Sequence, residues 1–277
     1  MKTVILPSAK QVPSLGQGTW QLHETGAGRR AAVDALRLGI DLGMTLVDTA
    51  EMYGEGAVEE IVGEAIGGRR DQVFLVTKVY PQNASRKRMV EACARSLKRL
   101  RTDRVDFYLL HWPGSVPIDE TLETFMRLKD EGKILDYGIS NFDAAGTARV
   151  WSRPGGGGIT TNQVLYNLSE RGIEWDLAPW CRQHGLPVMA YTPLGQGAFL
   201  RDPVLAAVAR RHDASAAQIA LAWLLRQDGI IAIPKAANSQ HVRENRKAAE
   251  IELTLRDLRE LDAAFPPPIA ASPLAML

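Results

Sequence analysis

From Gly16 onward the apolar positions fall into two alternating patterns: short aliphatic or β-branched runs, and longer stretches with apolar residues three and four apart. The first half predicts a strand over Gly16–Trp20, a helix over Arg29–Leu42, a strand over Thr45–Asp48, a helix over Ala57–Ile66 and a strand over Val73–Lys78. The alternation goes on with helix Lys87–Leu100, strand Val105–Leu110, helix Asp119–Glu131, strand Tyr137–Ile139, helix Ala144–Ser152 and strand Thr161–Leu165. A helical segment over Glu174–His184 then leads to strand Val188–Tyr191, helices Pro203–Arg211 and Ala216–Arg226 lead to strand Ile230–Ile233, and helix Ser239–Ala249 follows. Met1–Pro13, interrupted by Pro7 and Pro13, alternates poorly and is expected to form a short hairpin or plug ahead of the main fold.

Strands followed each time by a helix imply a parallel sheet with covered faces, because a parallel connection needs a long, right-handed crossover. Eight such units predict an α/β protein, an eight-stranded parallel (β/α)8 TIM barrel with a short N-terminal hairpin and an extra C-terminal helix over Thr254–Phe265, stopped by Pro266–Pro268. The rival, an open doubly wound sheet, normally carries a glycine fingerprint between its first strand and a helix; here Gly16-Gln17-Gly18 runs into Thr19-Trp20-Gln21. The Gly155–Gly158 run is expected to be a flexible connection rather than a phosphate cradle.

Length and composition narrow this picture. Barrels of this kind commonly run to about 250 residues as one unit, so residues 1–277 are expected to form a single domain. The 33 Lys plus Arg against 32 Asp plus Glu leave a formal charge of +1, which offers no field for a nucleic acid or an anionic membrane. Cys93 and Cys181 lack the paired spacing of a zinc or redox motif and are expected to be reduced, packed thiols, and His23, His111, His184, His212 and His241 show no metal-ligand spacing. No secretory leader or membrane-length apolar run is legible, so a cytoplasmic protein is expected.

In a barrel the polar residues that finish apolar strands converge on one rim. Asp48, Lys78, His111, Ser140 with Asn141, Gln163, Tyr191 and Lys235 all stand at such positions. Singly each has an ordinary explanation: Asp48 a cap, Lys78 a chain reaching for solvent, His111 a hydrogen-bonded core residue. Jointly, seven strands delivering polar groups to one rim describe a reaction cavity. Asp48 and Lys78 lie on neighbouring strands with opposite charges, and burial demands that they pair. Tyr53, five residues past Asp48, can turn back over that pair, and a neighbouring ammonium is expected to lower its phenol pKa from about 10 towards the range of a general acid.

At these residues the chain resembles the aldo-keto reductase family, and within it the short-tailed bacterial branch of methylglyoxal and 2,5-diketo-gluconate reductases. The resemblance rests on Val47-Asp48-Thr49-Ala50-Glu51-Met52-Tyr53-Gly54, Val76-Thr77-Lys78, Asp106-Phe107-Tyr108-Leu109-Leu110-His111-Trp112-Pro113, Gly138-Ile139-Ser140-Asn141-Phe142 and Ile233-Pro234-Lys235, in that order over almost the whole chain. It implies the catalytic tetrad Asp48, Tyr53, Lys78 and His111, and hydride transfer from a nicotinamide to an aldehyde or ketone. It also implies that Ser140, Asn141 and Gln163 hold the carboxamide, that Tyr191 stacks on the ring, and that Leu194, Gln196 and Gly197 wrap the pyrophosphate. Glu244 and Asn245 match positions that contact adenosine.

The sequence departs from the family pattern beside the adenine. Ala236 follows Lys235 where a serine is common, and His241 stands where the family has an arginine. Lys235 retains a full charge for a 2′-phosphate, with Asn238 and His241 as hydrogen-bond donors, but a histidine does not replace a bidentate guanidinium. NADPH is therefore expected with a reduced margin over NADH. Trp20 and Trp112 are expected to wall an open substrate pocket, because the loop after His111 is short and the tail after Phe265 looks too small to enclose a large ligand. By resemblance the substrate is a small carbonyl, such as methylglyoxal or a simple aromatic aldehyde, and the protein a monomer. Two other readings remain: a non-catalytic nicotinamide-nucleotide-sensing subunit, and a barrel hydrolase or isomerase for a phosphorylated sugar, which would need a metal cluster or paired carboxylates.

Overall fold

The structure, a computed structural model, describes residues 1–22 and 25–277; His23 lies outside the described residues. Among the described residues the chain forms a hairpin, β1 (Thr3–Ile5) and β2 (Gln11–Pro13), and then the strands β3 (Gln17–Gly18), β4 (Leu46–Asp48), β5 (Phe74–Val79), β6 (Val105–Leu110), β7 (Ile134–Ser140), β8 (Ile159–Leu165), β9 (Val188–Tyr191) and β10 (Ile230–Ala232). The helices are α1 (Gly26–Asp41), α2 (Ala57–Ala65), α3 (Arg86–Leu100), α4 (Ile118–Asp130), α5 (Ala144–Trp151), α6 (Leu177–Gln183), α7 (Pro203–Arg211), α8 (Ala216–Leu225), α9 (Ser239–Ala248) and α10 (Leu255–Ala264).

Strands β3 to β10 lie side by side in chain order, every pair parallel. The two end strands meet: Leu15 bridges Ala232 and Gly18 bridges Lys235, with the Gly18 N–H donating to Pro234 O at 3.0 Å. A Cβ on Gly18 would stand 2.6 Å from Ile233 O, so glycine is what lets the seam of the barrel close. Sequence cues mark several helix starts. Ser215 and Gln218 form a capping box at α8, Thr254 and Asp257 form one at α10, and Asp143 caps α5.

Two apolar clusters divide the strands by side. Val47, Leu75, Tyr108 and Leu110 join the helices in the larger cluster, while Leu46, Val76, Phe107, Leu109, Met189, Ile231 and Ile233 fill the barrel interior with Val4, Leu6 and Val12 of the hairpin. Side chains alternate along a strand, so the next inward position after each interior residue falls two further on. Those positions are Asp48 after Leu46, Lys78 after Val76, His111 after Leu109, Tyr191 after Met189 and Lys235 after Ile233. The apolar plug thus carries a polar layer above it by period alone.

Three expectations are adjusted. β7 runs from Ile134 to Ser140, longer than expected, because Ile134 and Asp136 pair with Val105 and Phe107 of β6; the Asp136 carboxylate also meets Lys129 at 2.7 Å. The segment over Glu174–His184 is helical only from Leu177 to Gln183, after a separate tight turn at Gly172–Glu174 and an N-cap at Asp176. Gly155–Gly158 is a defined turn rather than a loose connection: Gly155 has φ 78°, Gly156 is buried and Gly155 O accepts the Tyr137 hydroxyl at 2.7 Å. Both thiols are buried and free, and burial pushes Cys93 and Cys181 up to about 12.

Candidate active site

At the carboxyl ends of the strands lies a cavity of about 460 Å³. Its lining includes Trp20, Asp48, Tyr53, His111, Trp112, Ser140, Asn141, Gln163, Tyr191, Leu194, Gln196, Gly197 and Lys235. At its floor the Lys78 ammonium, fully buried, donates to Asp48 Oδ2 at 2.8 Å, to Thr49 O at 2.8 Å and to Tyr53 Oη at 3.2 Å. Its three N–H donors therefore all have partners, and it does not reach for solvent. Asp48 is no cap: its second oxygen accepts from Gln163 Nε2 at 2.8 Å. The chain leaves β4 through Thr49–Met52, which brings Tyr53 back beside the β5 lysine, and then turns away at Gly54 with φ 55° and Glu55 with φ 51°.

The electrostatics of the cluster follow from burial set against pairing. Burial works against the Lys78 charge, but Asp48 and Tyr53 more than offset it and hold the amine above its ordinary value. Burial raises Asp48 against the pull of Lys78 and Gln163. The proton of the pair stays on nitrogen. Tyr53 departs from expectation: burial, assisted by Asp48, raises its phenol despite the nearby Lys78. Taking a phenolate out of water outweighs one ammonium at 3.2 Å, so the Tyr53 phenol is held above its ordinary value rather than acidified. Burial and the Lys78 charge drive His111 down to about 2, leaving a neutral imidazole. His111 Nδ1 is buried without a partner, and its ring lies 6.0 Å from that of Tyr53 and 4.8 Å from that of Trp112.

Beside this floor lies a ring of amides and hydroxyls. Ser140 Oγ donates to Gln163 O at 2.8 Å, Asn141 Nδ2 to His111 O at 3.0 Å, and the Tyr191 hydroxyl to Asn141 Oδ1 at 2.9 Å. Gln21, Asn141, Thr192 and Gln196 all line the cavity with positive φ; Thr192, β-branched at φ 49°, is the most strained of them. Such backbone persists where surrounding contacts impose it, and four of the eight non-glycine residues with positive φ among the described residues line this cavity.

The tail takes part in the cavity wall: Met276 and Leu277 line it, and burial takes Tyr191 up to about 12 although the Leu277 backbone pulls the other way. Only the apolar character of the last residues hinted at this, and Gln21, Met52 and Leu200 also line the cavity without having been singled out. Asn238, His241, Glu244 and Asn245 lie outside the lining, at the start of α9 and along it. Asn238 Oδ1 caps the helix by accepting from His241 N–H at 2.9 Å, and Glu244 Oε1 accepts from Gln240 at 2.8 Å. Among the described residues, no group of three or more His, Cys, Asp or Glu could hold a metal ion, and no helix is long and apolar enough to cross a membrane.

A closed parallel barrel thus sets a buried cluster of Asp48, Lys78 and Tyr53 under a cavity at its rim. Residues 14–265 match the profile of the Aldo/keto reductase family, and the chain belongs to that family. It is 48% identical over 271 residues to methylglyoxal reductase YeaE of Escherichia coli K12, covering 96% of this chain and 95% of that one. It is 30% identical over 256 residues to methylglyoxal reductase DkgB of Escherichia coli O157:H7, covering 91% and 92%. Among solved structures it is similar to an aldo/keto reductase from Klebsiella pneumoniae in complex with NADP and acetate, with a TM-score of 0.97 and 48% identity over 100% of this chain and 99% of that one. The protein is an NAD(P)H-dependent oxidoreductase of the aldo/keto reductase type.

Proposed function

We propose that the chain reduces small aldehydes and ketones, methylglyoxal among them, to alcohols with NADPH. The observation that carries this reading is the fully buried Lys78 shared between Asp48 and Tyr53 at the cavity floor, beside a neutral His111. The names of the similar proteins support it: two are methylglyoxal reductases and one was seen with NADP.

The cavity fits a dinucleotide. Ser140, Asn141 and Gln163 offer a hydroxyl and two carboxamides beside the Tyr191 ring, and Lys235 adds a cation to the same lining. Those three would hold the nicotinamide amide, with the Tyr191 hydroxyl giving up Asn141 Oδ1; Tyr191 would face the ring; Leu194, Gln196 and Gly197 would follow the pyrophosphate. Lys235, Asn238 and His241 would meet the 2′-phosphate, and Glu244 with Asn245 the adenosine. NADH would be accepted with a modest penalty, because His241 replaces a guanidinium.

When bound, the dihydronicotinamide supplies a hydride to the carbonyl carbon. As the C=O π pair shifts to oxygen, Tyr53 gives that oxygen its proton, and Lys78 stabilises the phenolate left behind. Neutral His111 directs an N–H at the same oxygen and supports its developing charge. Asp48 keeps Lys78 charged and in place. Trp20 and Trp112 wall the substrate side, and in this reading one copy of the whole chain works as a single barrel, since every residue named comes from it.

Loss of NADPH absorbance on adding methylglyoxal tests the proposal. A nucleotide-sensing subunit would bind NADPH, seen as protein fluorescence quenching, and leave it unconsumed.

A further inference from the structure

Glu51 is only 6% exposed, lies two residues before Tyr53 and takes no part in the chemistry proposed above. Its surroundings show how β4 and β5 are joined where they separate. Thr49 N–H donates to Val76 O at 2.9 Å and Glu51 N–H to Lys78 O at 3.4 Å, after which the β4 chain turns away into Met52 and Tyr53. The next β5 donor, Tyr80 N–H, has no strand carbonyl left to meet. It donates instead to Glu51 Oε1 at 2.8 Å, and Asn83 Nδ2 donates to the same oxygen at 3.0 Å. The Glu51 side chain thus takes the place of a strand acceptor and extends the ladder by one rung while freeing its backbone to carry Tyr53 over Lys78.

The same rung reaches the substrate wall. The Tyr80 ring stands edge-on to Trp112 at 5.7 Å, and Trp112 lies against His111 at 4.8 Å. Glu51 Oε2 faces the half-exposed Arg95 guanidinium at 3.9 Å, too far for a tight pair, so the ladder oxygen rather than the charge makes the close contacts.

We propose that Glu51 is a positioning residue for carbonyl reduction: its Oε1 fixes the β4 loop carrying Tyr53 against the β5 loop carrying Tyr80, and so sets the distance from the tyrosine hydroxyl to the reacting oxygen. The inference rests on Tyr53 being the proton donor. A misplacement on the order of 1 Å in such a group costs about 100-fold in rate, and smaller ones proportionately less.

The test separates reach from charge. Glu51→Gln keeps an oxygen at the same reach without the charge, while Glu51→Asp keeps the charge on a chain one methylene shorter. Turnover with methylglyoxal, NADPH affinity by fluorescence quenching and thermal melting are measured on both, with Tyr53→Phe alongside. The expected result is that E51D loses about tenfold or more in kcat while its NADPH affinity stays within about twofold, and that E51Q retains most of the wild-type kcat. Wild-type kcat in E51D, a comparable loss in E51Q, or a weakened NADPH affinity that accounts for the loss would each overturn the proposal. Full turnover in Tyr53→Phe would instead remove the premise about the tyrosine.

Discussion

Gln163 Nε2 on β8 donates a 2.8 Å hydrogen bond to Asp48 Oδ1 on β4, joining two residues 115 positions apart across the barrel interior. The other oxygen of the same carboxylate holds Lys78. One carboxylate therefore anchors the proposed acid system to the strand from which the nicotinamide amide would be held, and the two halves of the site share a fixed point. A prediction follows for Gln163→Leu. It leaves Asp48 Oδ1 buried without that donor, and hydrogen bonds to charged groups contribute about 1.5–3 kcal/mol. Urea unfolding should show a loss of that order together with weaker NADPH binding, whereas unchanged stability would mean that a water or another donor replaces the amide.

Tyr53→Phe removes the proposed proton donor and leaves the ring that packs beside His111. The expected loss in kcat is about 10²–10⁴-fold, the usual contribution of a positioned general acid. NADPH affinity by fluorescence should be nearly unchanged; a variant that still turns over near the wild-type rate would show that the proton comes from elsewhere.

Lys78→Met strands the Asp48 carboxylate in the interior. Breaking one side of a buried pair typically costs about 3–5 kcal/mol. Adding Asp48→Asn removes the stranded charge, so the double variant should recover part of the lost stability while staying inactive. A double-mutant cycle in guanidinium measures this, and simple additivity of the two single losses would contradict the pairing.

His111 is held neutral, with its pKa driven down to about 2 by burial and the Lys78 charge. The unfolded chain binds this proton near pH 6.5. Above that pH neither state binds it and the full contribution to stability is present. Below it the unfolded state binds more protons, so stability falls with pH by up to about 1.4 kcal/mol per unit until the folded pKa is reached. Glutamine at this position should flatten the pH dependence of unfolding between about 6 and 4 relative to wild type. No histidine step is expected in kcat over the neutral range, and an inflection near pH 6.5 that vanishes in the glutamine variant would show that the imidazole is not neutral as described.

His241 is exposed beside Asn238 at the start of α9. If it meets the 2′-phosphate, His241→Arg should raise the preference for NADPH over NADH by about tenfold, the worth of roughly 1.4 kcal/mol from a charge-assisted fork. Ratios of kcat/KM for the two cofactors decide this, and an unchanged ratio would remove His241 from the phosphate site.

Local pattern alone determined the barrel and most of its rim. The alternation of apolar runs names the strands, and the period of two along each makes Asp48, Lys78, His111, Tyr191 and Lys235 inward neighbours of core residues, because a residue's side of a strand is decided by the backbone itself. Tertiary structure decided whatever depends on surroundings that strand period does not encode. The direction of the Tyr53 shift turned on how fully the closed barrel strips water from the phenol, since burial and the ammonium push in opposite senses and only their balance counts. Glu51 stood unmarked in the motif until folding brought the Tyr80 N–H and Asn83 to its oxygen, because a side chain that completes a ladder has no period of its own. The tail of Met276 and Leu277 likewise found its place through packing against the rim, where apolar contact rather than any local signal directs the chain.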